Sequence, residues 1–243
     1  MSYLLYCIFR SLPQPEAEVL IGVDRQPVWV IHHRRLGAGV SELRELDPHP
    51  NVANVLAYEG VVESFFSRRT VIPMRYGCAV RDRMELAAVL DKHRKACDAL
   101  LRRLEGLAEM SIQVQARGSQ TGSEIGSAPV PNARLHDSNR SGASYLLAKQ
   151  LDYRSADREV ERQNELVETV CRPLAGLFAD RKVELSSRGT PLLSLHFLVP
   201  RASVEVFRET SRHCLPYEPA RLFISGPWPP YNFADFSSGS GIS

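Results

Sequence analysis

The sequence predicts an α+β protein of two domains. The first is a split βαβ sheet carrying two helices on one face, and the second a modified α/β unit with a long helical element. Three observations carry this. Apolar residues recur at spacings of three and four from Asn51 to Arg69 and from Asp82 to Glu105, strand-like runs flank both stretches, and composition turns to Gly and Ser between Gly118 and Gly142. The 243 residues, 44% hydrophobic and 24% charged, fit one large or two small domains and can bury a sizeable core. Thirty Lys and Arg against 28 Asp and Glu leave a net charge of +2, which excludes a strongly basic nucleic-acid binder.

Tyr3 to Arg10 reads as a first strand rather than a signal peptide, because no basic region precedes its apolar run. Leu12 to Glu18, with two prolines, breaks structure, and Pro27 to His33 reads as a second strand. Gly37-Ala38-Gly39 and Asp47-Pro48-His49-Pro50-Asn51 read as turns. A helix begins near Asn51 and carries Val55, Tyr58, Val62 and Phe65 on one face; Ser67-Arg68-Arg69 closes it with cations at the favourable end of the dipole. Val71 to Tyr76 is a strand interrupted by Pro73, which suits an edge or a bulge. The next helix runs from about Asp82 to Glu105 with Leu86, Leu90, His93, Cys97, Leu100 and Leu104 in one stripe, and Gly106 stops it. Glu109 to Arg117 alternates as a half-buried antiparallel strand should, with Met110, Ile112, Val114 and Ala116 on the apolar side.

Residues 1–117 are thus expected to form the first domain and 118–142 a flexible linker or a long excursion. Residues 143–236 form the second domain, and 237–243 a disordered tail. Ser144 to Asp180 favours helix, with Val160, Val167, Cys171, Leu174 and Phe178 as its stripe and Pro173 kinking or dividing it. Leu192 to Val199 reads as a strand, Ala202 to His213 as a short helix and Arg221 to Ser225 as a final strand.

No run reaches the length of a membrane span. The five cysteines are scattered without a CxxC, which fits reduced thiols in a cytoplasmic protein. No metal, cofactor or catalytic group is expected. His32-His33 points to both faces of its strand, His213-Cys214 lacks a second ligand pair, and phosphate-loop and nucleophile-elbow signatures are absent. Glu59 and Glu63 lie four apart on one helix side. Such a pair can split its pKa values for acid–base work, but pairing with Arg68, Arg69 or Arg75 is the commoner use. An ion pair from Arg75 to Glu59 or Glu63, anchoring strand to helix, is the expectation. The stretch Gly226-Pro227-Trp228-Pro229-Pro230-Tyr231-Asn232-Phe233 is held extended by its prolines and presents Trp228, Tyr231 and Phe233 as contact surface. It serves as a strap on the core, as a docking segment, or as both. Trp228 is expected to pack on the second domain, and Tyr231 and Phe233 to be the cleaner partner contacts.

Together with the opening strand Tyr3-Leu4-Leu5-Tyr6-Cys7-Ile8, three blocks make the chain resemble the gas vesicle GvpF/GvpL family. They are Glu59-Gly60-Val61-Val62-Glu63, Thr70-Val71-Ile72-Pro73-Met74-Arg75-Tyr76-Gly77 and the proline–tryptophan tail. The resemblance covers almost the whole chain. It implies a ferredoxin-like first domain and a non-enzymatic accessory or minor structural protein of gas vesicles. It also implies that the partner is the small hydrophobic shell protein, possibly with other vesicle accessory proteins, during nucleation and assembly in the cytoplasm. The other readings from the residues are a ferredoxin-like regulatory module that binds a small molecule, and a divergent enzyme using Glu59, Glu63 and Arg75.

Overall fold

A computed structural model describes residues 2–11, 20–43, 51–116, 161, 163–186, 192–214 and 220–235. They form two antiparallel sheets with helices packed on them, the mixed α+β class expected. The first sheet contains β1 (Ser2–Arg10), β2 (Leu20–Ile21), β3 (Pro27–His33), β4 (Leu36–Leu43), β5 (Val71–Pro73) and β6 (Ala79–Val80). Its order is β2-β3-β4-β1-β5, with β6 also paired to β1. The helices α1 (Val52–Arg68) and α2 (Arg83–Arg103) belong to it. The second sheet contains β7 (Leu107–Ala116), β8 (Asp180–Ser186), β9 (Leu192–Pro200) and β10 (Ala220–Trp228), in the order β10-β7-β9-β8. Helix α3, over 163–171, and α4 (Val204–Arg212) accompany it.

The expected ferredoxin-like arrangement, with both helices on one face, is not what β1 supports. Leu4 to Phe9 are all buried, the mark of a strand covered on both sides. Leu4, Tyr6, Cys7 and Phe9 join one core cluster with Tyr58, Val62 and Phe65 of α1. Leu5 and Ile8 join the other with Leu86, Leu90 and Cys97 of α2. The two helices therefore lie on opposite faces of the sheet. A register shift between Leu5 and Cys7 accounts for consecutive Tyr6 and Cys7 sharing a side.

Both helix starts follow from side-chain caps. Asn51 accepts a hydrogen bond from the Asn54 amide at 2.8 Å, and Asp82 accepts one from the Glu85 amide at 2.8 Å. Tyr6 stacks on Tyr58 at 4.8 Å between ring centres, and Phe9 on Phe65 at 5.3 Å. The Tyr58 hydroxyl donates within a ring of backbone carbonyls, at 2.8 Å from Leu5 O, 2.9 Å from Met74 O and 3.1 Å from Arg75 O. It plugs the place where β1 changes partner from β5 to β6. Pro73 sits in the edge strand β5, as its missing donor requires.

Gly37-Ala38-Gly39 is strand, not turn: it lies within β4, and the reversal falls at Arg34, with φ of 53°. These glycines serve close packing. A Cβ on Gly37 would stand 2.6 Å from the Phe9 ring, and one on Gly39 2.9 Å from the Phe65 ring.

The strand read from Glu109 to Arg117 forms, but as an interior strand of the second sheet between β9 and β10, not as the last strand of the first sheet. Gly106, with φ of 71°, turns the chain out of α2 into that sheet. Met110, Ile112 and Val114 face the core shared with Leu195, Phe197, Val167, Cys171, Leu174 and Phe207; of the expected stripes, Val160 and the side chain of Ala116 lie outside the described residues. Helix α3 ends at residue 171, before Pro173. The expected excursion over 118–142, the start of the helical stretch from Ser144 and the tail over 237–243 lie outside the described residues.

Candidate functional site

The chain's last described stretch meets both sheets. β10 is an edge strand among the described residues, and its register shifts between Ser225 and Trp228, where Trp228 comes opposite Glu109. Gly226 makes this possible. Its φ is 110°, and a Cβ there would stand 2.6 Å from the Glu109 carbonyl oxygen. Pro229 and Pro230 then lead into a single 3₁₀ turn, Tyr231–Phe233.

Beneath that turn lies a buried polar cluster. Glu109, 4% exposed, occupies the polar side of β7. It accepts two hydrogen bonds from Asn232, at 2.9 Å from the backbone amide and 2.6 Å from Nδ2. Nδ1 of His196 on β9 faces Ser111 Oγ at 2.9 Å, Asn232 Nδ2 at 3.0 Å and Glu109 Oε1 at 3.3 Å. The carboxylate is thus held by donors rather than stranded, which a buried charge requires. Outside the cluster, Lys182 pairs with Asp235 at 2.8 Å and lies 5.9 Å above the Phe233 ring. The arrangement clamps the tail turn to the second sheet, while Phe233 and Ala234 enter the core cluster of Leu5 and Ile8 in the first.

The expected site residues are not gathered in one place. Glu59 and Glu63 are exposed on α1. Arg75 has its ion pair with Asp235, at 3.7 Å and with an 85% exposed side chain, and not with either glutamate. The three aromatics exchange their expected roles. Trp228 is 46% exposed, whereas Phe233 is 2% exposed and Tyr231 packs against the core. Burial, with the Glu59 carboxylate adding to it, pushes the Tyr231 phenol well above its ordinary range. A bulge-shifted edge strand turns Trp228 outward, while the 3₁₀ turn carries Phe233 under α2's side of the first sheet.

Sequence reasoning missed Glu109, Ser111 and His196. Strand alternation placed Ser111 on the polar side of its strand but could not show that the tail covers that side; the signal available was Asn232, already conspicuous between two aromatics. Among the described residues no group of three or more His, Cys, Asp or Glu could hold a metal ion, and no helix is long and apolar enough to cross a membrane.

Comparison with known proteins agrees with this architecture. The family model for the gas vesicle synthesis protein GvpL/GvpF matches residues 2–235. Gas vesicle protein F1 of Halobacterium salinarum is 24% identical over 230 residues, covering 93% of this chain and 88% of that one. Gas vesicle protein F of a Streptomyces species is 27% identical over 247 residues, covering 97% and 100%. Gas vesicle protein L of the same strain is 26% identical over 250 residues, covering 95% and 91%. Crystal structures of GvpF from Anabaena and from Microcystis aeruginosa superpose with TM-scores of 0.75 and 0.76 at 20% and 15% identity, covering 99% and 97% of this chain and 98% and 99% of theirs. With a sheet-and-helix plan shared end to end and a family match over nearly every residue, the chain belongs to the GvpL/GvpF family of gas vesicle synthesis proteins.

Proposed function

We propose that this gas vesicle protein is an accessory or minor structural component that acts in nucleation and assembly by binding the small hydrophobic shell protein, in the cytoplasm and on the vesicle. It has no catalytic role in this reading. The observation that carries it is the family match over residues 2–235. The geometry supports a docking rather than a catalytic use. β10 is an edge strand among the described residues and presents Phe223, 50% exposed, and Trp228, 46% exposed. An unpaired edge with outward aromatics suits an extended apolar segment, because main-chain hydrogen bonds add to side-chain burial.

The test is co-purification with the shell protein, with an unrelated hydrophobic protein as control. Phe223→Ala and Trp228→Ala are the informative variants, since both side chains are half-exposed and their loss spares the core. Aromatic hot spots cost at least about 2 kcal/mol on truncation, so capture should fall roughly thirtyfold. Capture equal to that of the unrelated control overturns the reading; unchanged capture by both variants moves the contact away from β10.

A further inference from the structure

The placement of α1 and α2 on opposite faces of one sheet has a consequence for self-association. The outer side of α1 presents Val52, 77% exposed, and Leu56, 62% exposed, followed one and two turns later by Glu59 and Glu63. A surface helix normally turns such residues inward. Gly60 lies between them, and a Cβ placed there would touch nothing within 4 Å, so this side is flat and open. Neither glutamate has an ion pair among the described residues. The outer side of α2 presents Met84, 82% exposed, then Ala88, Lys95, Ala99 and Arg102, all exposed. Lys95 and Arg102 likewise have no ion pair among the described residues, although their neighbours Asp91 and Arg103 do, with Arg34 and Asp180.

One helix therefore shows apolar residues followed by anions, and the other shows apolar and small residues followed by cations, with Asp91 between them already engaged by Arg34 and His33. The spacings also agree. Val52 precedes Glu59 by the same seven residues that separate Ala88 from Lys95. Two helices laid parallel in that register bring Val52 against Ala88, Glu59 against Lys95, and Glu63 one turn from Arg102. Seven residues are two helical turns, so these groups lie on one side of each helix.

We infer that copies of this chain associate head to tail, the outer face of α1 in one copy docking on the outer face of α2 in the next. The occupant is a second copy because this chain itself carries the complementary charge pattern. Docked on itself, α1 would set its glutamates against glutamates if parallel, or against Val52 and Leu56 if antiparallel, so a two-fold dimer through the α1 face is disfavoured. A heterologous contact of this kind leaves one free α1 face and one free α2 face on every assembly, and growth continues as a row instead of closing. The interface is one helix pair, smaller than that of a stable dimer, so association is weak, rises with concentration and falls with salt. The inference goes beyond shell-protein binding, and its outcome is independent of shell-protein capture.

The test is sedimentation of the full chain at rising concentration in low salt, where exposed charges interact over about 10 Å or more at 0.1 M or below. The mean mass should climb from the monomer's 27.2 kDa through successive multiples, and return to the monomer at about 1 M salt, where the screening length is about 3 Å. Leu56→Arg and the double variant Lys95→Glu/Arg102→Glu alter exposed residues only, and circular dichroism should show both folded. Each alone should remain monomeric. Mixed, the first supplies an intact α2 face and the second an intact α1 face, so the mixture should stop at a one-to-one pair. A wild-type chain that stays monomeric at every concentration in low salt overturns the inference. So does assembly by either folded single-face variant alone, or a mixture that forms no pair.

Discussion

At the scale of the residue, Tyr58 carries buried hydrogen bonding that nothing unusual in the sequence announces. Tyr58 occupied an ordinary place in a helical stripe, yet its hydroxyl is held among three backbone carbonyls within 3.1 Å. Burial drives the phenol well above its usual range, so it remains a donor. Tyr58→Phe removes that donor while keeping the ring, and should destabilise the protein by about 1–3 kcal/mol, seen as a lower urea midpoint with an unchanged slope. Arg75 is the opposite case. The sequence suggested a strand anchored to a helix, but the guanidinium is mostly in water and faces Asp235. Arg75→Lys should therefore shift stability by no more than about 0–1 kcal/mol in the same measurement. Which side of a strand a later segment will cover is long-range information, and this is why Glu109 and His196 were not legible while Tyr58 at least had its position right.

At the scale of the element, helices were read more accurately than strands. The α1 and α2 stripes and the helix starts read near Asn51 and Asp82 coincide with the structure because capping and 3.6-residue periodicity are local. The last strands, β9 and β10, were legible for their dense apolar runs. β4 and β8 were not. Gly37-Ala38-Gly39 carries the usual composition of a turn, and only the aromatic rings above it explain why small residues are needed there; Asp180–Ser186 has alternating charges and little apolar content. Gly37→Ala forces a methyl group to within 2.6 Å of the Phe9 ring and should cost about 1–3 kcal/mol through overpacking, measured by thermal or chemical unfolding. On propensity alone, removing a glycine from a strand would stabilise it, so the sign of the change separates the two accounts.

At the scale of the whole molecule, cations and rings add to the apolar clusters that join the two sheets. The Arg201 guanidinium lies 3.9 Å above the Phe66 ring and donates to the Phe66 carbonyl at 2.5 Å, tying the end of β9 to the end of α1; burial lowers its pKa. Arg103 bonds Asp180 across the same joint. None of this follows from the net charge of +2. The thiols are a second global property. All five cysteines are buried, and burial raises the pKa of Cys78, Cys97, Cys171 and Cys214, that of Cys97 to about 11. A thiol whose folded pKa lies above its unfolded value of about 8.5 favours the native state below that value and loses the benefit as pH rises towards the folded pKa. The thiols' contribution to stability should thus be constant below about pH 8 and fall between about pH 8.5 and 11. Urea midpoints across that range check this, and Cys97→Ala, though less stable overall, should show a shallower alkaline decline. An equally steep decline in that variant would remove Cys97 from the cause.

The clamp beneath the tail also bears on synthesis. β1 and α1 leave the ribosome early, but Phe233 and Ala234, which close the cluster around Leu5 and Ile8, are made roughly 165 residues after the end of α1. β7 similarly waits for β10, whose residues pair with it across a separation of roughly a hundred positions, so loop closure is slow. Until β10 and the tail turn are made, the nascent chain keeps apolar surface of its first sheet and one side of β7 open to chaperones and to other nascent chains. A chain ending at Ser225 should accordingly be captured in inclusion bodies or degraded, while one ending after Asp235 should match the full chain in soluble yield and in protease resistance.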